Sequence, residues 1–452
     1  MKIEKIEAIA ISIPLTKDFG GSTYHVTRRC TVITRIHAGG LVSEVYNGDN
    51  REHGGEIVRL VQETLTPLVK DEDIFATERI WEKMFALTHS SGDKKLLLEA
   101  ISCIDCAVWD LVGKALGKSV RQLLGGYRTR LPLISIGGYY VEGKTLADYG
   151  REMEMYRDAG MAGCKFKVGG LTPEEDAKRV EAARKAAGDD FILVVDANRG
   201  WNVPDAIRFA RLIEPLNIGW FEEPCHWYDD VAMMAQVRQA IHIPVNAGQC
   251  EITSQGVRRL VEGGAVDFVN YDVSEGGGIT DWHRAAAICG AAGVRMAHHE
   301  ESQVAQQLLT AVPHGTYLEC FADPEQVPQG TWLALHAVPQ DASNDFADFP
   351  ERSPGNRPHF PTSCGSWASL SLGLKAIEPS AGESTDSADK RDLLASSSSQ
   401  QRPPPQSANA LGNEWLEIQE VGIPAPALIA SAVVTRPFGI AWVHPTRRQL
   451  MK

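Results

Sequence analysis

The sequence predicts an α/β chain: an α+β unit of about 130 residues followed by a closed barrel of parallel strands. Three observations predict it. Eight short apolar runs between about 132 and 321 alternate with stretches of helical periodicity. Nearly all of those runs end in an ionisable or amide side chain. The first 130 residues lack the alternation and read as strands followed by helices.

In order along the chain, IEKIEAIAISI and RCTVITRIHA read as the first strands. In EAISCIDCAVWDLVGKALG the apolar Ile101, Ile104, Val108, Leu111 and Ala115 fall at helical spacing, and Gly117 is a plausible stop. The barrel candidates are LPLISIG, KFKV, FILVVDAN, IGWFEEP, IPVNAGQ, VDFVNYD, VRMAHH and TYLECF. One intervening helix opens with Thr172-Pro173-Glu174-Glu175, an N-cap, a proline in the first turn and a capping-box glutamate. Apolar strands alternating with helices imply a parallel sheet covered on its outside, most simply a closed barrel. The alternative is an open doubly wound sheet, but no GxGxxG follows a first strand. After Phe321 the chain becomes irregular. Residues 341–410 are rich in Pro, Ser, Asp and Gly and predict a disordered insertion. The closing PALIASAVVTRPFGIAWV predicts order again.

Composition bounds the function. With 452 residues, 43% apolar and 23% charged, the chain can bury a large core. A net charge of -13 without a basic block argues against nucleic acid. No apolar run approaches a membrane span, and MKIEKIEAIAISIPL reads as a strand and not a signal peptide. Nine scattered cysteines fit a reducing cytoplasm, with Cys103 and Cys106 as core thiols of a helix.

The chemistry lies at the strand ends, where a parallel barrel carries its reactive groups. Lys165 and Lys167 share one face of a strand. Alone, such a pair reads as an exposed sheet face. Facing a ring of carboxylates it is compensated, and the proximity of two ammoniums would lower a lysine toward the range of a basic catalyst. Asp196, Glu222 and a third acceptor from the fifth strand could hold a hard cation such as Mg²⁺; the other reading is salt bridges to nearby Lys and Arg. Asp272 could orient His299 as a base, although a lone histidine is more often structural. Glu319, if kept protonated, could donate a hydrogen bond to an oxyanion.

These segments resemble the enolase superfamily, mandelate racemase subgroup, over residues 1 to about 325 and the last 20 or so. AISCIDCAVWDLVGKALGKSVRQLLGG is similar to the signature helix of the family's capping domain, KFK to its KxK motif, VVDANRGW and FEEP to its metal-ligand segments, and VDFVNYDVSEGGGIT to its sixth-strand segment. The resemblance implies a modified TIM barrel, (β/α)7β, with an N-terminal α+β capping domain. The divisions are then 1–130 for the cap, 131–325 for the barrel, and 326–452 for a C-terminal segment whose ending, about Val433 to Trp442, returns to the cap as a strand. It also implies roles. Lys167 is a base on one face of the substrate, and Lys165 tunes it and contacts the carboxylate. His299, paired with Asp272, is base or acid on the other face, and Glu319 stabilises an enolate. Asp196 and Glu222 bind Mg²⁺. The family's third ligand is a glutamate directly after a glycine, but Gly248 is followed here by Gln249, and the next carboxylate is Glu251. Spacing favours Gln249 and charge favours Glu251. The loop around Gly20 to His25, with Tyr24 and His25, would contact the distal part of the substrate, and Asn198 would also bind substrate.

The implied activity is Mg²⁺-dependent abstraction of the proton alpha to a carboxylate. The polar loop FGGSTYH favours dehydration of an acid sugar, an aldonate or aldarate, by a hydro-lyase. A racemase or epimerase of a 2-hydroxy acid is the alternative. A fold-retaining binding or structural homologue without activity is the alternative of another class. A small-molecule carboxylate substrate and a homo-oligomeric state complete the expectation.

Overall fold

A computed structural model describes residues 1–48, 53–226 and 230–322, together with the backbone of two short strands further on, His359–Pro361 and Leu416–Glu417. The expectations for 341–410 and for the ending 433–442 therefore lie outside the described residues, His359–Pro361 apart.

The N-terminal unit is built on β1 (Lys5–Gly20) and β2 (His25–Ala38), a long antiparallel pair extended by β3 (Leu41–Val42) and β4 (Val45–Asn47). Its strands are apolar on both faces because both faces are covered. Ile6, Ala8, Val32 and Ile36 enter the main core, whereas Ile11, Ile13, Ile33 and Tyr46 form a second cluster against Phe321 at the end of the barrel.

The expected central helix runs from Lys94 to Leu116. Asp93 caps its start by accepting from the Leu96 N–H, and Gly117 ends it at φ 61°. Ile101, Ile104, Val108 and Leu111 are buried, as are Cys103 and Cys106. This helix pins the cap to the barrel. Asp105 accepts hydrogen bonds from the Thr280 N–H (2.9 Å) and hydroxyl (2.6 Å), and the Trp109 indole donates to the same hydroxyl (2.9 Å).

Eight parallel strands follow: β5 (Arg130–Gly137), β6 (Gly163–Lys167), β7 (Ile192–Asp196), β8 (Ile218–Glu222), β9 (Val245–Ala247), β10 (Phe268–Val269), β11 (Arg295–Met296) and β12 (Leu318–Cys320). They pair in the order β11-β10-β9-β8-β7-β6-β5-β12. The seam between β11 and β12 closes through a parallel bridge of Met296 with Gly315, with the Met296 N–H on the His314 carbonyl and the Thr316 N–H on the Met296 carbonyl. The helix Pro173–Ala187 starts with the predicted capping box of Thr172 and Glu175.

Strand alternation then dictates the interior. Val194, Trp220, Phe268 and Ala297, packed with Tyr317, fill the barrel as one apolar cluster. Two residues further along the same strands, and so on the same face, stand Asp196, Glu222, Asn270, His299 and Glu319. A packed apolar plug thus carries a polar layer at its C-terminal mouth.

Candidate active site

The polar layer is a buried charge cluster. The Lys165 ammonium donates to Glu319 Oε2 (2.7 Å) and Glu222 Oε1 (3.2 Å), and Asp196 Oδ2 lies 3.9 Å away. The Lys167 ammonium donates to the same Asp196 oxygen at 2.6 Å. None of these five side chains is more than 1% exposed. Glu222 is held in place by the Trp220 indole (3.0 Å), the Asn246 amide (3.0 Å) and the Asn270 amide (2.8 Å). Asn198 sits on Asp196, its backbone N–H 2.9 Å from Oδ1 and its amide 3.2 Å from Oδ2.

Electrostatics departs from the expectation for the lysines. Burial pushes Lys165 down, but Glu222 and Glu319 outweigh it and raise the ammonium above its ordinary range. Burial and Asp196 set the same balance at Lys167, and it too is raised. Mutual repulsion between the ammoniums, the basis of the predicted lowering, is smaller than the pull of carboxylates at 2.6–3.2 Å. Burial would raise Asp196, yet Lys167 and Lys165 hold it below the carboxylate range. Glu222 is raised by burial and by the neighbouring Asp196 charge.

On the other side of the mouth, His299 Nδ1 lies 3.0 Å from Asp272 Oδ2. The other Asp272 oxygen accepts from the Ser274 and Glu275 N–H groups as a helix cap, so the carboxylate presents one fixed oxygen to the imidazole. His299 Nε2 has a second carboxylate, Glu300, at 3.7 Å. Burial lowers the imidazole, but Glu300 and the Asp272 hydrogen bond overcome it and push His299 up to about 10. His298 differs. Its Nδ1 donates to the His299 carbonyl (2.8 Å) and its Nε2 accepts from the Val273 N–H (3.2 Å), an arrangement that requires the neutral ring, and burial holds it low.

The two candidates for a third ligand part company. Gln249 belongs to the cluster: its backbone N–H donates to Asn270 Oδ1 (3.2 Å), and its side-chain oxygen accepts at 3.3 Å from the Asn270 amide that also holds Glu222. Glu251 does not. It lies 3.6 Å from Arg259 in a pocket shared with Arg199, Glu223 and Asp230, where burial and Asp230 raise it to about 7. The chain turns at Gly248, whose carbonyl accepts from the Glu251 N–H, and this turn separates Glu251 from Gln249. Among the described residues no three His, Cys, Asp or Glu side chains converge to hold a metal ion.

The cap loop covers this mouth. The Ser22 hydroxyl donates to the Ala197 carbonyl (2.5 Å) and the Thr23 hydroxyl to the Asn198 carbonyl (3.2 Å). These bonds bring the Tyr24 ring to 5.6 Å from the Lys167 ammonium. His25 is not brought in: its ring is 63% exposed and pairs with Asp18. The sequence reading missed Tyr139, Asn246, Asn270 and Glu300. Tyr139, just past the β5 end, faces the same ammonium at 5.8 Å. Asn270 was available from alternation, two residues beyond Phe268. Asn246 follows only from register, since it pairs with Glu222. A further mark is backbone strain. Six of the eight non-glycine residues with positive φ among the described residues, Asn198, Arg199, Glu223, Thr253, Glu300 and Glu301, lie just after barrel strands at this mouth.

A closed parallel barrel under a strand-rich cap, with its polar layer at the C-terminal mouth, defines the TIM-barrel-like class of the enolase superfamily. Comparison narrows the class. Residues 9–125 match the mandelate racemase / muconate lactonizing enzyme N-terminal domain and residues 148–355 the enolase C-terminal domain-like family, and the chain belongs to the mandelate racemase/muconate lactonizing enzyme family. A solved family structure from a marine actinobacterium, in complex with magnesium, is 44% identical with TM-score 0.67, over 72% of this chain and 87% of that one. The 3,6-anhydro-alpha-L-galactonate cycloisomerase of Streptomyces coelicolor is 31% identical over 73% of this chain and 93% of its own length. The arabinonate dehydratase of Saccharolobus solfataricus is 33% identical over 49% of this chain and 59% of its own. No helix among the described residues is long and apolar enough to cross a membrane.

Proposed function

We propose that the protein is a lyase that dehydrates an acid sugar to a 2-keto-3-deoxy acid, with Mg²⁺ held by Asp196, Glu222 and the amide oxygen of Gln249. The oxygen donors suit a hard cation, and Glu222, raised by burial beside Asp196, is a carboxylate whose charge gains from one. When bound, the cation neutralises charge developing on the substrate carboxylate.

The chain's own residues do the rest. With a cation engaging the charge of Asp196, the Lys167 ammonium would lose its proton to solvent, and the neutral amine then takes the proton from C2. The Lys165 ammonium, held by Glu319 at 2.7 Å, is the donor for the substrate carboxylate as it becomes the enolate. His299 gives its Nε2 proton to the departing C3 hydroxyl, which leaves as water, and the enol then tautomerises to the ketone. The observation that carries dehydration over racemisation is His299 lying between Asp272 and Glu300. Two carboxylates keep it an imidazolium, an acid ready for a leaving group, and a racemase needs the same ring to accept a proton as well. Both relatives act on sugar acids by name, one as a dehydratase and one as an isomerase.

Incubation of the Mg²⁺-loaded protein with a library of aldonates and aldarates should release 2-keto product from at least one. Lys167→Ala and His299→Asn should each lose about 10²–10⁴-fold in turnover, the usual worth of general acid–base groups. Exchange of the C2 proton without a 2-keto product would establish racemisation instead. No product and no Mg²⁺ binding would identify a binding or structural homologue.

A further inference from the structure

Glu300 has one role above, as the second carboxylate beside His299, and its place at the mouth supports another. It is 6% exposed and held at φ 50°, a conformation that costs a β-carbon-bearing residue free energy. Its backbone N–H donates to Glu319 Oε2 (3.1 Å), which fixes the turn, and its carboxylate stands 3.7 Å from His299 Nε2, the atom assigned above to the departing hydroxyl. Across the mouth stand Tyr24 from the cap and Tyr139 from the first barrel strand, both beside Lys167. Burial raises both phenols, and the Glu300 charge is close enough to contribute to each. Two phenols thus stand beside Lys167 and one carboxylate beside His299, the two residues that the proposed reaction places on either face of the substrate.

We propose that Glu300 is a specificity-determining residue that selects monocarboxylic acid sugars with a neutral hydroxylated tail, aldonates, over dicarboxylic aldarates. The proposal rests on the acid-sugar reading above and goes one step further. A carboxylate accepts hydrogen bonds and donates none, so it suits the hydroxyls of a polyol chain. The same group faces a second substrate carboxylate with like charge in a buried setting, where repulsion is strong, and such a repulsive element is an economical way to reject a near-isosteric competitor. A diacid would need a cation at its far end. Among the described residues, Lys165 and Lys167 serve the reacting end of the substrate in the roles above. The Arg29 guanidinium is wholly buried, 4.0 Å from the Phe321 ring centre and 5.3 Å from that of Phe19.

The test compares an aldonate and an aldarate of matched configuration. Wild type should favour the aldonate in kcat/KM by at least about tenfold, and Glu300→Gln, which keeps shape and removes charge, should narrow that ratio at least about tenfold by improving the aldarate. Affinity supplies a readout independent of turnover: Lys167→Ala protein loaded with Mg²⁺ should bind the aldonate more tightly, and the Lys167→Ala, Glu300→Gln double variant should not discriminate. A wild-type protein that takes both acids equally, or prefers the aldarate, overturns the proposal whether or not the Glu300 variant folds; preference for the aldarate would assign its second carboxylate to Arg29. An unchanged ratio in a folded Glu300→Gln protein overturns it as well. The acid-sugar reading fails separately, by absence of 2-keto product and of acid-sugar binding altogether.

Discussion

At the scale of single residues, Gln249 is the most informative departure in the chain. It occupies the position where the resemblance calls for a glutamate, and the structure seats its amide beside Glu222. Affinity of oxygen sites for divalent cations follows the number of charged ligands. Gln249→Glu should therefore tighten Mg²⁺ binding by about tenfold or more, and Gln249→Ala should weaken it, both by calorimetry. Glu251→Gln should leave it unchanged, because that carboxylate lies on Arg259. Equal effects at 249 and 251 would refute the assignment. The adjacent histidines give a second residue-scale test. His299 is raised from 6.5 to about 10 and His298 is lowered, so ring proton shifts should show His299 still charged at pH 8 and His298 neutral well below it. The sign for stability follows. A group raised in the folded state contributes stability that is complete below about pH 6.5 and is lost as pH rises through about 10. His299→Asn should remove that pH dependence from the unfolding free energy, and an unchanged profile would contradict it.

At the scale of elements, the site depends on how strands end. Most barrel strands deliver one polar side chain from the inner face, β6 delivers two, Lys165 and Lys167, and left-handed residues gather in the turns that follow the strands. The run EGGGIT after β10 shows the same economy. The Tyr271 ring covers Gly276, and Gly278, at φ 90°, lies against the Asp105 carboxylate from the cap helix Lys94–Leu116. A β-carbon at 278 would overlap that carboxylate and meet an unfavourable φ besides. Gly278→Ala should cost about 1–3 kcal/mol in urea unfolding, through strain and disturbance of the Asp105–Thr280 hydrogen bonds. Stability equal to wild type would mean that the cap helix is not pinned there.

At the scale of the molecule, five charged groups buried in one cluster are costly unless fully compensated. A cation that binds only the folded protein stabilises it by mass action, about 2.7 kcal/mol at a hundred times its dissociation constant. Mg²⁺ should raise the thermal midpoint, chelation should reverse the rise, and Asp196→Asn should abolish the response. A midpoint insensitive to Mg²⁺ in wild type would remove the metal from the proposed function.

The sequence by itself determined the architecture and most of the site. Apolar runs of strand length alternating with helical periods admit few solutions besides a parallel barrel, and the period of two placed Lys165 with Lys167 before any coordinates. Asp196, Glu222, Asp272, His299 and Glu319 were legible because each ends an apolar run. Tertiary structure decided what one-dimensional spacing cannot hold. Gln249 and Glu251 are both at plausible positions in sequence, and only the turn at Gly248 sends one inward and the other to Arg259. Tyr24 and His25 are neighbours, yet hydrogen bonds from Ser22 and Thr23 to the barrel aim the first at Lys167 and leave the second in solvent. The lysines are raised where lowering was expected, because charge balance is a sum over distances between strands far apart in the chain, and the nearest carboxylates win. Glu300 had no sequence signal at all: its meaning comes from standing 3.7 Å from His299 Nε2, while the cap brings Tyr24 to Lys167.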